Sequence, residues 1–150
     1  LLLKQLGAIE NDLGTSAGGA AYARRLLAEA EVPLGGVRIV DGSGLSLLDR
    51  LTAGAVEAVL RASWSDPNVR PALLAALPVA GISGTLSDRM RSPPARGHVL
   101  AKTGTTFRAS ALSGYVRSRY VFSVLQNGNP ISSYWARRAQ DRFATALAAQ

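Results

Sequence analysis

The chain has 150 residues, 47% of them hydrophobic, with a formal net charge of +7 and no cysteine. This length and apolar content suit a single globular core, and the missing cysteine excludes disulfides, cysteine zinc sites and a cysteine nucleophile. The positive charge favours a polyanionic partner, either nucleic acid or an anionic cell-wall polymer. The alternative is a solvated basic face that binds no partner. The arginines are scattered without the interleaved aromatic residues of RNA-binding modules, and no apolar run reaches the roughly 18 residues of a membrane span.

Hydrophobic periodicity predicts mainly helices in the first half of the chain. The predicted helices cover the residues up to Ile9, Ser16 as N-cap to Leu27, Thr52 as N-cap to Trp64, and a short segment that ends at Pro78. Between the second and third helices, residues 37–40 alternate as a short strand and lead into a loop with two glycines, residues 41–46. We expect those glycines to form a tight turn with positive φ.

In the second half the period changes to that of strands. Three successive antiparallel strands are predicted at Val99 to Thr106, Ser110 to Arg117 and Tyr120 to Leu125, with a tight turn at Ser118 and Arg119. A final helix, capped by Ser132 or Ser133, is predicted to reach Leu147. Its apolar residues form a face that we expect to pack on the sheet: Trp135, Ala139, Phe143, Ala146 and Leu147.

The tripeptide Lys102-Thr103-Gly104 lies on the first of these predicted strands. A fixed lysine can anchor a carboxylate, and a small glycine lets a substrate backbone lie against the strand. K-T-G is one of three signatures of serine β-lactamases and penicillin-binding proteins, but a tripeptide alone is weak evidence. Without further motifs, Lys102 is better interpreted as an ordinary surface lysine on a strand.

Further stretches in the same order strengthen the motif. They are Asp41-Gly42-Ser43-Gly44-Leu45-Ser46, Leu77-Pro78-Val79-Ala80-Gly81, Gly84-Thr85-Leu86 with Arg89, Ala101 to Thr105, Ala111 to Tyr115, and Phe122-Ser123 with Asn127. With them, the sequence resembles the low-molecular-mass class C penicillin-binding proteins, the DacB-type D-alanyl-D-alanine carboxypeptidases and endopeptidases of peptidase family S13. The resemblance implies an α/β fold, part of the transpeptidase-like fold of penicillin-binding proteins and serine β-lactamases, in which helices flank an antiparallel sheet.

Two signatures of that family are missing from the chain. Its two lysines, Lys4 and Lys102, are preceded three positions earlier by Leu1 and Val99, so no Ser-x-x-Lys occurs, and no Ser-x-Asn occurs either. We therefore expect residues 1–150 to be the C-terminal part of one penicillin-binding domain. The nucleophilic serine would lie in an N-terminal part of the same enzyme, and the chain alone would be inactive.

The resemblance also implies roles for individual residues. Lys102, Thr103 and Gly104 would belong to the active site, and the backbone N–H of Thr105 would form part of the oxyanion hole. Leu45, Ser46 and Thr106 would contact substrate, although a purely structural turn remains the simpler interpretation of the loop at residues 41–46. The segment from Gly81 to Leu86 lacks the lysine and the glycine spacing of a phosphate-binding loop and is predicted to be a structural turn.

The implied partners are peptidoglycan stem peptides, β-lactam antibiotics and the N-terminal part of the enzyme, at the periplasm or cell wall of a bacterium after export. No nucleic acid, metal or organic cofactor is expected. His98, the only histidine, lacks the companions of a zinc site, and we do not expect it to act as the base of a catalytic triad. Two alternatives remain open: a β-lactamase-like hydrolase, and a catalytically silent module that binds cell-wall polymer.

Overall fold

The computed structural model describes residues 1–12 and 14–150. These residues form two compact units, Leu1–Val59 and Leu60–Gln150. Their helices are α1 (Leu2–Asn11), α2 (Ser16–Glu29), α3 (Ala53–Ser65), α4 (Arg70–Ala76) and α5 (Ser133–Ala148). Their strands are β1 (Val99–Thr105), β2 (Ala109–Val116) and β3 (Tyr120–Asn127), and a 3₁₀ turn covers Gly84–Leu86.

In the first unit, α1 and α2 approach each other closely at Gly19. A Cβ atom at this position would lie 1.7 Å from the carbonyl oxygen of Leu3, so only glycine fits. The predicted α2 is present, but its cap is Thr15 rather than Ser16, because the Thr15 hydroxyl accepts the Gly18 N–H at 3.0 Å. The predicted cap of α3 is confirmed: the Thr52 hydroxyl accepts the Ala55 N–H at 3.1 Å.

The predicted strand at residues 37–40 is wrong. Only an isolated bridge forms there, in which Arg38 and Arg50 exchange two backbone hydrogen bonds of 2.9 Å. The next N–H on the same side of this segment, that of Val40, does not bind a backbone carbonyl; it donates to the carboxylate of Asp49 at 2.7 Å. A ladder needs successive backbone partners, and this segment has a side-chain partner instead.

In the second unit, the three predicted strands form one antiparallel sheet in the order β1-β2-β3. The hairpin between β2 and β3 turns through Arg117 and Ser118, which both have a positive φ, one residue earlier than the predicted turn at Ser118 and Arg119. Helix α5 packs on one face of this sheet. On the other face, the buried Tyr115 contacts the Trp64 ring, with ring centroids 5.1 Å apart. The predicted arrangement of an antiparallel sheet flanked by helices is therefore confirmed.

The face that α5 turns toward the sheet matches the prediction only in part: Leu147 packs against the core, and the Phe143 ring lies 6.2 Å from the ring of Phe122 in β3. Its buried residues are Ala136, Gln140, Ala144 and Ala148, whereas Trp135 is 66% exposed and Phe143 is 47% exposed. Small side chains let the helix lie close to the strands. The fully buried Gln140 is tolerated because its side-chain amide donates to Ser110 Oγ and Gln126 Oε1, both at 2.9 Å, and a buried polar group with partners costs little.

Candidate active site

The outer edge of β1 is the first element of the candidate site. Residues 78–80 run beside the beginning of the strand, where the Ala101 N–H donates to the Pro78 carbonyl at 3.0 Å. Because backbone groups of alternate residues point to the same side of a strand, the N–H and C=O groups of Thr103 and Thr105 point the same way as those of Ala101. In the described part of the chain, β1 is an edge strand of the sheet. An extended peptide can therefore bind beside Thr103 and Thr105 by strand addition.

Lys102 brings a positive charge to this edge. Its side chain is exposed, and it points away from α5, since its neighbour Ala101 points into the core that α5 covers. In β2 it is paired with Ser113. Its ammonium Nζ donates to the carbonyl oxygen of Thr103 at 2.7 Å. That carbonyl points to the outer edge, so the ammonium lies where it can bind an anionic group of a bound peptide.

The Thr103 side chain contacts the hydroxyl of Thr85, a residue that the sequence did not predict to be part of the site. Its Oγ1 donates to Thr85 Oγ1 at 3.0 Å, and Thr85 lies in the 3₁₀ turn Gly84–Leu86. In the sequence, Thr85 stands out only as part of the family-like stretch Gly84-Thr85-Leu86. No spacing rule links positions 85 and 103, because the contact arises from the tertiary fold.

Gly104, Thr105 and Thr106 complete the predicted strand motif. A Cβ at Gly104 would touch only Ala111 Cβ, at 3.5 Å, so this side of the strand is open to a ligand. Thr105 is exposed and directs its N–H to the outer edge. The Thr106 hydroxyl accepts backbone N–H groups of Arg108 and Ala109 at 3.2 and 3.0 Å, which stabilises the β1–β2 turn. Its substrate-binding role stays a prediction.

Leu45 and Ser46 belong to the first unit, in a turn that Asp41 organises. The Asp41 carboxylate accepts the N–H groups of Ser43, Gly44 and Ser46 at 2.9, 2.8 and 3.0 Å. Burial raises the pKa of the Asp41 carboxyl, but these bonds together lower it, and the pKa lies below its usual value. The expectation of positive φ is confirmed for Gly44, with a φ of +73°, and is wrong for Gly42. Leu45 is exposed, and contact of Leu45 and Ser46 with substrate stays a prediction.

Nowhere among residues 1–12 and 14–150 do three or more His, Cys, Asp or Glu side chains come together in a group that could hold a metal ion. In those same ranges, every helix is too short or too polar to cross a membrane.

Similar proteins are found at the level of sequence. The family model described as the D-Ala-D-Ala carboxypeptidase 3 (S13) family matches residues 1–150. A D-alanyl-D-alanine carboxypeptidase from an Actinomadura species is 37% identical over 99% of the chain, which corresponds to 28% of that protein. Carboxypeptidase DacB of Mycolicibacterium smegmatis is 39% identical over 75% of the chain, or 26% of its own length. The chain therefore spans little more than a quarter of these relatives.

Solved structures show the same fold. Penicillin binding protein 4 (dacB) from Haemophilus influenzae, in complex with a β-lactam, superposes with a TM-score of 0.78 at 23% identity. The match covers 97% of the chain and 36% of that protein. The predicted penicillin-binding-protein fold is confirmed.

Proposed function

This chain belongs to the D-Ala-D-Ala carboxypeptidase 3 (S13) family, and on that premise we propose that it is the substrate-anchoring part of a serine-type D-Ala-D-Ala carboxypeptidase or endopeptidase. The observation that carries the proposal is the Lys102 ammonium beside the open edge of β1. This arrangement suits a substrate that is an extended peptide and also carries a negative charge.

The substrate would be a peptidoglycan stem peptide that ends in D-Ala-D-Ala. Its backbone would lie along the edge of β1, opposite the N–H and C=O groups of Thr103 and Thr105. The terminal carboxylate would bind the Lys102 ammonium and the Thr103 hydroxyl through charge-assisted hydrogen bonds. Gly104 supports this pose, because a larger side chain would narrow the space that the peptide needs.

The reaction would be acyl transfer to a serine that this chain does not contain, since no serine here has a lysine three residues on. The serine oxygen attacks the carbonyl carbon of the penultimate D-Ala, and its proton passes through the lysine of its own Ser-x-x-Lys motif to the departing amine of the terminal D-Ala. The C–N bond breaks and an ester remains. Water then hydrolyses the ester, which releases the shortened peptide and restores the serine.

During attack, negative charge develops on the carbonyl oxygen. The N–H of Thr105 points to the open edge, where it would donate to that oxygen. One such donor contributes about 3 kcal/mol in comparable enzymes. A β-lactam carries a similar carboxylate next to a reactive amide, so it would use the same anchoring groups and acylate the same serine. Export to the periplasm or cell wall follows from a peptidoglycan substrate.

The proposal is tested on the complete protein that contains this chain. We expect it to release D-alanine from a diacetyl-lysyl-D-Ala-D-Ala peptide and to bind a fluorescent penicillin covalently. Rapid penicillin hydrolysis without D-alanine release would support the β-lactamase-like alternative. Binding to isolated cell wall without release or labelling would support a silent module. Either outcome would contradict the proposal.

A further inference from the structure

Thr85 is held on a firmly packed turn next to the candidate site. The next residue, Leu86, is fully buried, and its carbonyl accepts the Gly81 N–H at 2.9 Å. The preceding residue, Gly84, has a φ of +54°, and a Cβ there would lie 3.1 Å from the Pro78 ring. The turn is therefore fixed against the same segment that pairs with the beginning of β1.

A second anchor fixes the residues that follow the turn. The Arg89 guanidinium donates to Asp141 Oδ1 at 2.9 and 2.7 Å and to Gln140 Oε1 at 3.0 Å. Gln140 in turn donates to Ser110 in β2. The turn that carries Thr85 is thus tied to α5, and α5 is tied to the sheet that carries Thr103.

On this support, the hydroxyls of Thr85 and Thr103 lie 3.0 Å apart. Thr85 is exposed, so it is not part of the core. A threonine hydroxyl has one donor and two acceptor sites, and its proton rotates to suit its partners. When an anion binds, the pair can reverse: Thr85 donates to Thr103, and Thr103 donates to the anion. Hydrogen bonds in such a chain strengthen each other.

We infer that Thr85 is a positioning residue of the carboxylate subsite, which orients the Thr103 hydroxyl and polarises it toward the C-terminal carboxylate of the substrate. The inference rests on the proposed function. It adds a hydroxyl from outside the Lys102-Thr103-Gly104 strand, so the anchoring of the carboxylate depends on the 3₁₀ turn as well as on β1.

The experiment uses the complete protein and the variants Thr85→Val, Thr85→Ser, Thr103→Val and the Thr85→Val/Thr103→Val double variant. Valine keeps the shape of threonine and removes the hydroxyl, whereas serine keeps the hydroxyl. We expect Thr85→Val to lower kcat/KM for a D-Ala-D-Ala peptide about three- to tenfold, the effect of one neutral hydrogen bond. Thr85→Ser should stay near the wild-type value. The double variant should be no slower than Thr103→Val, because the first hydroxyl acts through the second.

A matched substrate separates orientation from a merely structural role. With the terminal carboxylate converted to an amide, Thr85→Val and the wild type should show equal kcat/KM. Equal losses on both substrates with a lower Tm, or additive losses in the double variant, would overturn the inference. Ser87→Ala removes a neighbouring hydroxyl and should leave both substrates unaffected. If the wild type is active and Thr85→Val has the same kcat/KM, the inference is wrong and the proposed function stands. If the wild type neither releases D-alanine nor binds penicillin, both the proposed function and the inference are wrong.

Discussion

Arg89 and Asp141 lie 52 residues apart and form an ion pair in which two guanidinium nitrogens share one carboxylate oxygen. The Arg89 side chain is only 12% exposed, so solvent screens this pair less than it screens a surface ion pair. The same guanidinium binds Gln140. The pair therefore joins the segment after the 3₁₀ turn to the helix that covers the sheet.

We predict that Arg89→Ala lowers the free energy of unfolding of the complete protein by about 1.5 to 3 kcal/mol, as for other hydrogen bonds to charged groups. Arg89→Lys should recover only part of this, because an ammonium cannot reproduce the planar fork of the guanidinium. Chemical denaturation measures both, with the exposed Arg91→Ala as control. Equal stability of the Arg89 and Arg91 variants would contradict the importance of the pair.

The pairing of β1 with β2 depends on Gly114. A Cβ there would lie 2.1 Å from the Leu100 carbonyl oxygen and 2.6 Å from Ala101 Cα. We predict that Gly114→Ala destabilises the fold by about 1 to 3 kcal/mol or more, the usual cost of overpacking. The control is Gly54→Ala in α3, where a Cβ meets no atom within 4 Å and alanine favours the helix. A thermal melt in which both variants behave alike would show that the strands adjust freely.

Lys102→Ala should lower kcat/KM for a D-Ala-D-Ala peptide at least about tenfold in the complete protein, since a charge-assisted contact is lost. The Tm should not change, because the side chain is exposed. Lys102→Arg should recover activity only in part. Lys4→Ala, the one other lysine of this chain, is the matched control. Unchanged turnover with an unchanged Tm in Lys102→Ala would make Lys102 an ordinary surface residue.

The buried hydroxyl of Tyr115 should make the stability of the fold depend on pH. Burial raises the pKa of the Tyr115 hydroxyl, which donates to the Leu60 carbonyl at 2.7 Å. The folded-state pKa is thus above the unfolded value of about 10, so the stabilisation is complete below that pH and is lost as pH rises through the folded pKa. Tyr115→Phe should cost about 1 kcal/mol at neutral pH. Urea titrations should show a constant difference from wild type up to about pH 10 that shrinks above it; a constant difference at higher pH would contradict the assignment.

The 150-residue chain alone should form no covalent adduct with benzylpenicillin, because none of its serines has a lysine three residues on. Intact-mass spectrometry after incubation should show the unmodified mass. The complete protein, treated in the same way, should gain the mass of one penicillin. A stoichiometric adduct on any serine of the chain would refute the assignment of the nucleophile to another part of the protein.

Local patterns predicted much of the fold because they report on local structure. Strand alternation placed β1, β2 and the start of β3 within one residue of their observed positions, and Thr52 was identified as a cap from its place before a helical pattern. The α5 face was predicted only in part. Leu147 packs against the core, but hydrophobicity also pointed to Trp135, which is 66% exposed, whereas close packing selected alanines and the hydrogen-bonded Gln140. Patterns of residue type do not reveal which side chains find polar partners.

The residues of the candidate site also differ in whether a local pattern predicts them. The Lys102-Thr103-Gly104 motif and the strand pattern predicted that Lys102 lies on a strand. Once that strand is present, the alternation of its backbone groups directs the Thr105 N–H outward. Thr85 and Arg89 were not assigned, because their contacts with Thr103 and Asp141 span 18 and 52 residues. Such contacts depend on how the 3₁₀ turn and α5 are placed against the sheet.

The open edge of β1 offers N–H and C=O groups, and every peptide carries the same groups whatever its side chains. Binding along this edge is therefore indifferent to sequence, and Lys102 adds only a demand for negative charge. Under the proposed function, the strand would accept any extended peptide that ends in a free carboxylate, including the shortened product. Discrimination between stem peptides must then come from other side chains that contact the bound peptide.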